Sequence, residues 1–178
     1  MSYKGEITRA MTMLAQNKKV IFLGQSIAYP GHIMFGTLEN VPMSKRIELP
    51  VFEDVQMGMS IGLALESYIP VSIFPRMDFL ILAMNQLVNH LDKLEEMSNG
   101  QFKPKVIIRT MVGSISPMTP GLQHCQDHTE ALKCMLTNID VVKLTRAEEI
   151  VPAYRQALES NKSTILIEAP PKRQGYDD

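Results

Sequence analysis

The sequence predicts an α/β fold, a three-layer sandwich built on a mostly parallel six-stranded sheet. Short β-branched runs alternate with longer segments of helical period along the chain. The longest segment carries Leu80, Ala83, Met84, Leu87, Val88, Leu91 and Leu94 at the three-and-four spacing of one buried helix face. Such alternation favours parallel strands, because right-handed crossovers return the chain in the same direction, cover both sheet faces with helices and gather loops at the strands' carboxyl ends. At 178 residues one core suffices without disulfide or metal staples. Residues 1–170 read as one domain, followed by a tail at 171–178.

Helical period begins at Glu6 to Gln16 and gives way to the first strand, Val20 to Leu23. The loop Gly24 to Pro42 precedes a second strand, Arg46 to Leu49, and the corner Pro50 to Glu53 opens a helix predicted over Glu53 to Glu66. A third strand, Val71 to Phe74, leads through Pro75 to Asp78 into the long helix Phe79 to Met97. The fourth strand, Val106 to Thr110, is followed by the loop Met111 to His128, too long and too punctuated by glycine and proline for a simple connector. A helix at Thr129 to Met135, a strand at Val141 to Leu144, a helix at Ala147 to Ser160 and a strand at Thr164 to Glu168 complete the alternation.

Eighteen basic against nineteen acidic residues leave a net charge of −1, which gives no global attraction to nucleic acid or anionic membrane. The first residues lack a signal-peptide pattern and no apolar run reaches the length of a membrane span, so a cytoplasmic protein is expected. Cys125 and Cys134 are too few for a disulfide framework. Thirteen methionines and no tryptophan point to adaptable packing, mostly core with some contact surface.

Glu53 is the residue to explain. At a strand-to-helix corner among Val51, Phe52, Val55 and Met57 its carboxylate would be partly desolvated and suited to holding and giving up a proton. The commoner role for such a residue is to complement the helix dipole. Gly58 and Gly62 clear one face of the same helix, for internal packing or for a subunit contact. The run His124-Cys125-Gln126-Asp127-His128 offers metal-ligating types, with Cys134 beyond, but without paired zinc spacing. His124 is better suited to proton donation at the end of a loop. Neither a dinucleotide fingerprint nor a P-loop is present.

Four segments, in order and spacing over nearly the whole chain, resemble the pyrimidine-binding domain of thiamine-diphosphate enzymes, most closely the amino-terminal half of the 2-oxoacid dehydrogenase E1 β subunit. They are Val20 to Ala28, resembling the strand that ends Gly-Glu-Asp/Glu-Val-Ala; Leu49-Pro50-Val51-Phe52-Glu53 with Gly58 and Gly62; Phe74 to Phe79 followed by Asn85-Gln86-Leu87-Val88-Asn89; and Gly121 to Gln126, resembling a Gln-His-Ser-Gln loop. The resemblance implies the thiamine-diphosphate-binding fold. It implies that Glu53 bonds the cofactor's pyrimidine nitrogen and favours the imino tautomer that activates the thiazolium carbon. Phe79, with Met77 as neighbour, would contact the pyrimidine, Gln25 would lie in the cofactor loop, and His124 would act on the substrate side.

Gln25 and Ser26 replace the family's paired acids, and no Gly-Asp-Gly…Asn segment for diphosphate and magnesium occurs in these residues. The resemblance therefore implies a split enzyme acting beside a carbonyl of a 2-oxoacid or ketose, of 2-oxoacid dehydrogenase, decarboxylase or transketolase type. A separate diphosphate-binding subunit would hold the diphosphate end of thiamine diphosphate and Mg2+, with the cofactor across the interface, in a homodimer or heterotetramer. The alternatives are a catalytically silent interaction or regulatory domain of the same fold, and a flavodoxin-like small-ligand binder.

Overall fold

The computed structural model describes residues 1–113 and 120–171, so most of the expected tail and part of the long loop lie outside the described residues. Six strands form one sheet: β1 (Val20–Gly24), β2 (Arg46–Glu48), β3 (Ile69–Ile73), β4 (Ile107–Met111), β5 (Asp140–Leu144) and β6 (Thr164–Glu168). Their order is β2-β1-β3-β4-β6-β5 and every pair is parallel. The chain steps outward from β1 to β2 and then crosses back over β1 to β3, which makes the carboxyl ends of β1 and β3 a topological switch point.

The helices are α1 (Tyr3–Ala15), α2 (Ile33–Gly36), α3 (Glu53–Leu65), α4 (Met77–Leu80), α5 (Leu94–Met97), α6 (Thr129–Met135) and α7 (Ala147–Glu159). Helix α1 begins three residues before its predicted start because the Ser2 hydroxyl accepts the Gly5 N–H at 3.1 Å and caps it. Its Ile7, Met11 and Leu14 join Ile150 and Tyr154 of α7 over Phe22, Val71, Ile107 and Leu166. On the opposite face Met57 and Ile61 of α3 pack with Leu80, Leu87, Leu91 and Leu132 over Ile108, Ile165 and Ile167. Neighbours Ile107 and Ile108, like Ile165 and Leu166, thus serve opposite cores, as the two-residue pleat requires.

One predicted element differs. The continuous helix at 79–97 is divided into α4, a 3₁₀ turn at Ile81–Ala83, a π-helical turn at Asn85–Leu91 and α5. The apolar stripe survives, but the winding widens where the Asp92 N–H bonds Leu87 O at 3.0 Å and the His90 ring bonds Asn85 O at 3.1 Å. Strand β3 starts at Ile69, and Pro70 at its second position is tolerated near a strand's beginning. The carboxyl end of the sheet is tied by a buried network. Arg109 of β4 bonds both Glu168 oxygens, Nε to Oε1 at 2.6 Å and Nη2 to Oε2 at 3.3 Å. Tyr154 donates to Glu168 Oε1 at 3.1 Å, and Arg109 Nη1 donates to the Thr37 hydroxyl at 2.9 Å. Burial, then the Glu168 charge, pushes the Tyr154 phenol well above its ordinary range.

Candidate functional site

The site forms where the loops after β1, β3 and β4 meet the start of α3. Gly24 is needed at the end of β1 because an added Cβ would lie 2.3 Å from Ile73 O. The next turn is held by Glu48 at the end of β2, whose carboxylate accepts the N–H groups of Ser26, Ile27 and Ala28 at 2.6, 2.8 and 2.7 Å. Ser26 adopts a left-handed φ of 57° to present its N–H. This clamp fixes Gln25, whose side chain turns inward and donates from Nε2 to Glu53 Oε1 at 3.1 Å.

Glu53 opens α3 but is no ordinary surface complement to a helix dipole, since only 4% of it is exposed. Its other oxygen, Oε2, has no hydrogen-bond partner among the described residues. The other buried acids among the described residues are paired with cations: Glu168 with Arg109, Asp92 with Lys93, Glu6 with Arg9. Among the described residues Glu53 is the buried acid that lacks one. A withdrawn carboxyl with one satisfied oxygen is chemically a receptor for a donor or a proton.

The loop after β4 is clasped to the loop after β3. Arg76 Nη1 donates to His124 O at 3.3 Å, Asp78 Oδ1 accepts Gln126 Nε2 at 3.0 Å, and the rings of Phe79 and His124 meet edge-on with centroids 5.4 Å apart. Gly113 permits this approach, because a Cβ there would fall 1.7 Å from His124 O. The His124 ring bonds Gln123 O through Nδ1 at 2.8 Å. A carbonyl only accepts, so Nδ1 carries the proton and Nε2 is left to exchange one.

Of the predicted site residues, Gln25 and Glu53 are thus bonded to each other, and Phe79 and His124 form a second pair. Met77 is buried at 1% exposure, and its sulfur accepts the His128 N–H at 3.0 Å. Among the described residues no group of three or more His, Cys, Asp or Glu could hold a metal ion, the 124–128 run included. Gly58 and Gly62 differ: nothing lies within 4 Å of a Cβ at Gly62, whereas a Cβ at Gly58 would meet the Gln86 side chain at 3.8 Å. The same helix exposes Val55 and Met59, beside exposed Val51 and Phe52 at the corner. Sequence reasoning missed Glu48, Arg76 and Gly113. A charged residue closing a strand before Pro50 was the available signal for Glu48.

No family model matches the chain. It is similar to the pyruvate dehydrogenase E1 component subunit β of Cyanidium caldarium, 24% identical over 167 residues that cover 87% of this chain and 47% of the relative. The corresponding subunit of Rickettsia conorii is 26% identical over 158 residues, with 87% and 48% covered. The chain thus spans about half the length of these relatives. Among solved structures, a split-gene transketolase in the form of an inactive β4 tetramer matches with TM-score 0.73 at 17% identity over 95% of this chain and 51% of its own. A transketolase from Leishmania mexicana matches with TM-score 0.71 at 18% identity over 92% of this chain and 24% of its own. No helix among the described residues is long and apolar enough to cross a membrane. In fold, the chain is a transketolase-like α/β domain, and its relatives by sequence include pyruvate dehydrogenase E1 β subunits.

Proposed function

We propose that this chain is the pyrimidine-binding part of a thiamine-diphosphate enzyme that cleaves a bond beside the carbonyl of a 2-oxoacid or ketose. The observation that carries the reading is Glu53, buried at the switch point with Oε1 held by Gln25 and Oε2 unpartnered among the described residues. Those residues fit an aminopyrimidine, which offers ring nitrogens to a carboxyl group and a flat face to aromatic and thioether side chains. When bound, thiamine diphosphate supplies the electron sink for cleavage next to a carbonyl.

Glu53 holds or yields a proton at Oε2, and Gln25 fixes the carboxyl so that this oxygen is the one presented. Phe79 and the neighbouring Met77 bound the apolar side of the site, and Phe79 also sets the tilt of the His124 ring. His124 exchanges a proton at Nε2 with a substrate on that side.

Magnesium and diphosphate are assigned to a separate domain, in a homodimer or heterotetramer. The open face of α3, with Gly62, Val55 and Met59 beside the Glu53 corner, gives that domain an apolar surface to cover. The test is calorimetric titration of the chain and its co-purifying partner with thiamine diphosphate and Mg2+, for wild type and Glu53→Gln. We expect binding by the pair and turnover reduced by roughly a hundredfold or more in Glu53→Gln with folding intact. Absence of binding by the pair favours the silent-domain reading, which the neutral Gln25 beside Glu53 makes the second choice.

A further inference from the structure

Among the described residues, the arginines withdrawn from water are each held by several hydrogen bonds, with one exception. Arg46 donates to the carbonyls of Ile27, Leu38 and Val41, and Arg109 grips Glu168 and Thr37. Arg76 is half-buried, yet among the described residues it makes a single long bond, 3.3 Å, to His124 O, and no ion pair with a carboxylate. A guanidinium offers five N–H donors in a planar fork, so most of this fork is unused. It stands between the end of β3 and the His124 loop, on the side of the site that carries Phe79 and His124.

We propose that Arg76 is the anion-recognising residue of this site, binding a carboxylate or phosphate group of the small-molecule ligand that His124 faces. The inference rests on the site reading above and extends it to the charge of the substrate. Two oxygens of a carboxylate or phosphate match the fork and would supply the counter-charge that the fold leaves out.

His32 supports this polarity. Its Nδ1 accepts the Met34 N–H at 3.2 Å, so the neutral ring carries its proton on Nε2 and offers a second donor. Burial, then the charges of Arg76 and Arg109, hold His32 below the ordinary histidine range and therefore neutral at pH 7. Arg109 is neutralised by Glu168, which leaves Arg76 as the uncompensated charge of the two among the described residues.

The test needs neither cofactor nor partner. The chain is titrated with sodium pyruvate and, separately, with inorganic phosphate, following the arginine Nε–Hε signals by NMR, with sodium chloride at matched ionic strength as control. A saturable shift of the Arg76 signal is expected in the millimolar range, weakened about tenfold or more in Arg76→Gln and by less in Arg76→Lys, which keeps the charge but not the fork. Response to pyruvate alone assigns a carboxylate ligand, response to phosphate alone a phosphate monoester, and response to both an oxyanion site without that discrimination. Absence of a saturable shift overturns the proposal, as does an equal response to chloride or an unchanged affinity in Arg76→Gln whose Phe79 and His124 ring signals remain native. Thiamine diphosphate binding that depends on Glu53, without any response of Arg76, would sink this inference alone.

Discussion

Gly113→Ala tests how the His124 loop is held. The added methyl would lie 1.7 Å from His124 O and 2.9 Å from Arg76 Nη1, where ordinary contact begins near 3.4 Å. The obstructing atom is backbone, so no rotamer change relieves the overlap, and the carbonyl must retreat by about 1.7 Å or the loop must leave. Overpacking of this kind costs about 1–3 kcal/mol. The clasp opposing it consists of a long Arg76 bond, the partly exposed Asp78–Gln126 pair and one ring contact, together worth about 1–3 kcal/mol. The two sides are comparable, so the cheapest response is release of the loop rather than unfolding of the sheet. Midpoints in urea should fall by the equivalent of about 1–3 kcal/mol, the worth of the clasp that is lost, while amide exchange over residues 121–126 rises and the Phe79–His124 ring NOE disappears. A variant that keeps that NOE and wild-type protection would refute the argument that Gly113 is the seat of the loop.

Glu168→Gln should cost about 3–5 kcal/mol in urea denaturation, because it removes the carboxylate charge that faces the fully buried Arg109 guanidinium; a loss below about 1 kcal/mol would mean that water reaches the pair. The Asp92 carboxyl makes a second test. Burial would raise it, but Lys93 and the donors of Asn138 and Thr137 outweigh that and hold it below the ordinary carboxylate range. A lowered folded value contributes stability that is present above the unfolded value and is lost as pH falls through the folded one. Asp92→Asn should therefore be less stable at pH 7 by about 2 kcal/mol and show a shallower loss below about pH 4; parallel acid limbs in guanidinium melts at several pH values would contradict it.

The strands were legible because β-branched runs bounded by glycine and proline have few alternatives, and their parallel pairing followed from the alternation itself, whereas the strand order β2-β1-β3-β4-β6-β5 is set by tertiary packing. The Glu53 corner was legible for the same reason, since Pro50 ends the strand and Glu53 starts the apolar helix. The π-helical turn was not, because widening the winding over Asn85–Leu91 leaves Leu87 and Leu91 buried, and an apolar stripe cannot report the change. The roles of Glu48 and Gly113 depend on atoms 20 and 11 positions away in sequence, Ala28 N and His124 O, which no local pattern contains. Gly58 and Gly62 were visible as a cleared face, but whether that face meets the core or the outside is decided by tertiary packing.

The state of Glu53 separates the enzymatic reading from the silent one. A chain that needed only the fold would be served at this corner by an apolar side chain, since a buried acid held by one neutral amide is a poor use of core volume. The helix dipole at the start of α3 offsets only part of that cost, about 0.3–1 kcal/mol for an exposed group. Among the described residues every other buried acid is matched with a cation, so its lack at Glu53 is a local choice rather than a general tolerance. The supporting clamp has the same logic: Glu48 spends three hydrogen bonds holding the turn that aims Gln25 at Glu53. A structural hinge has no need for that degree of orientation, whereas a carboxyl group that must present one chosen oxygen to a ligand does.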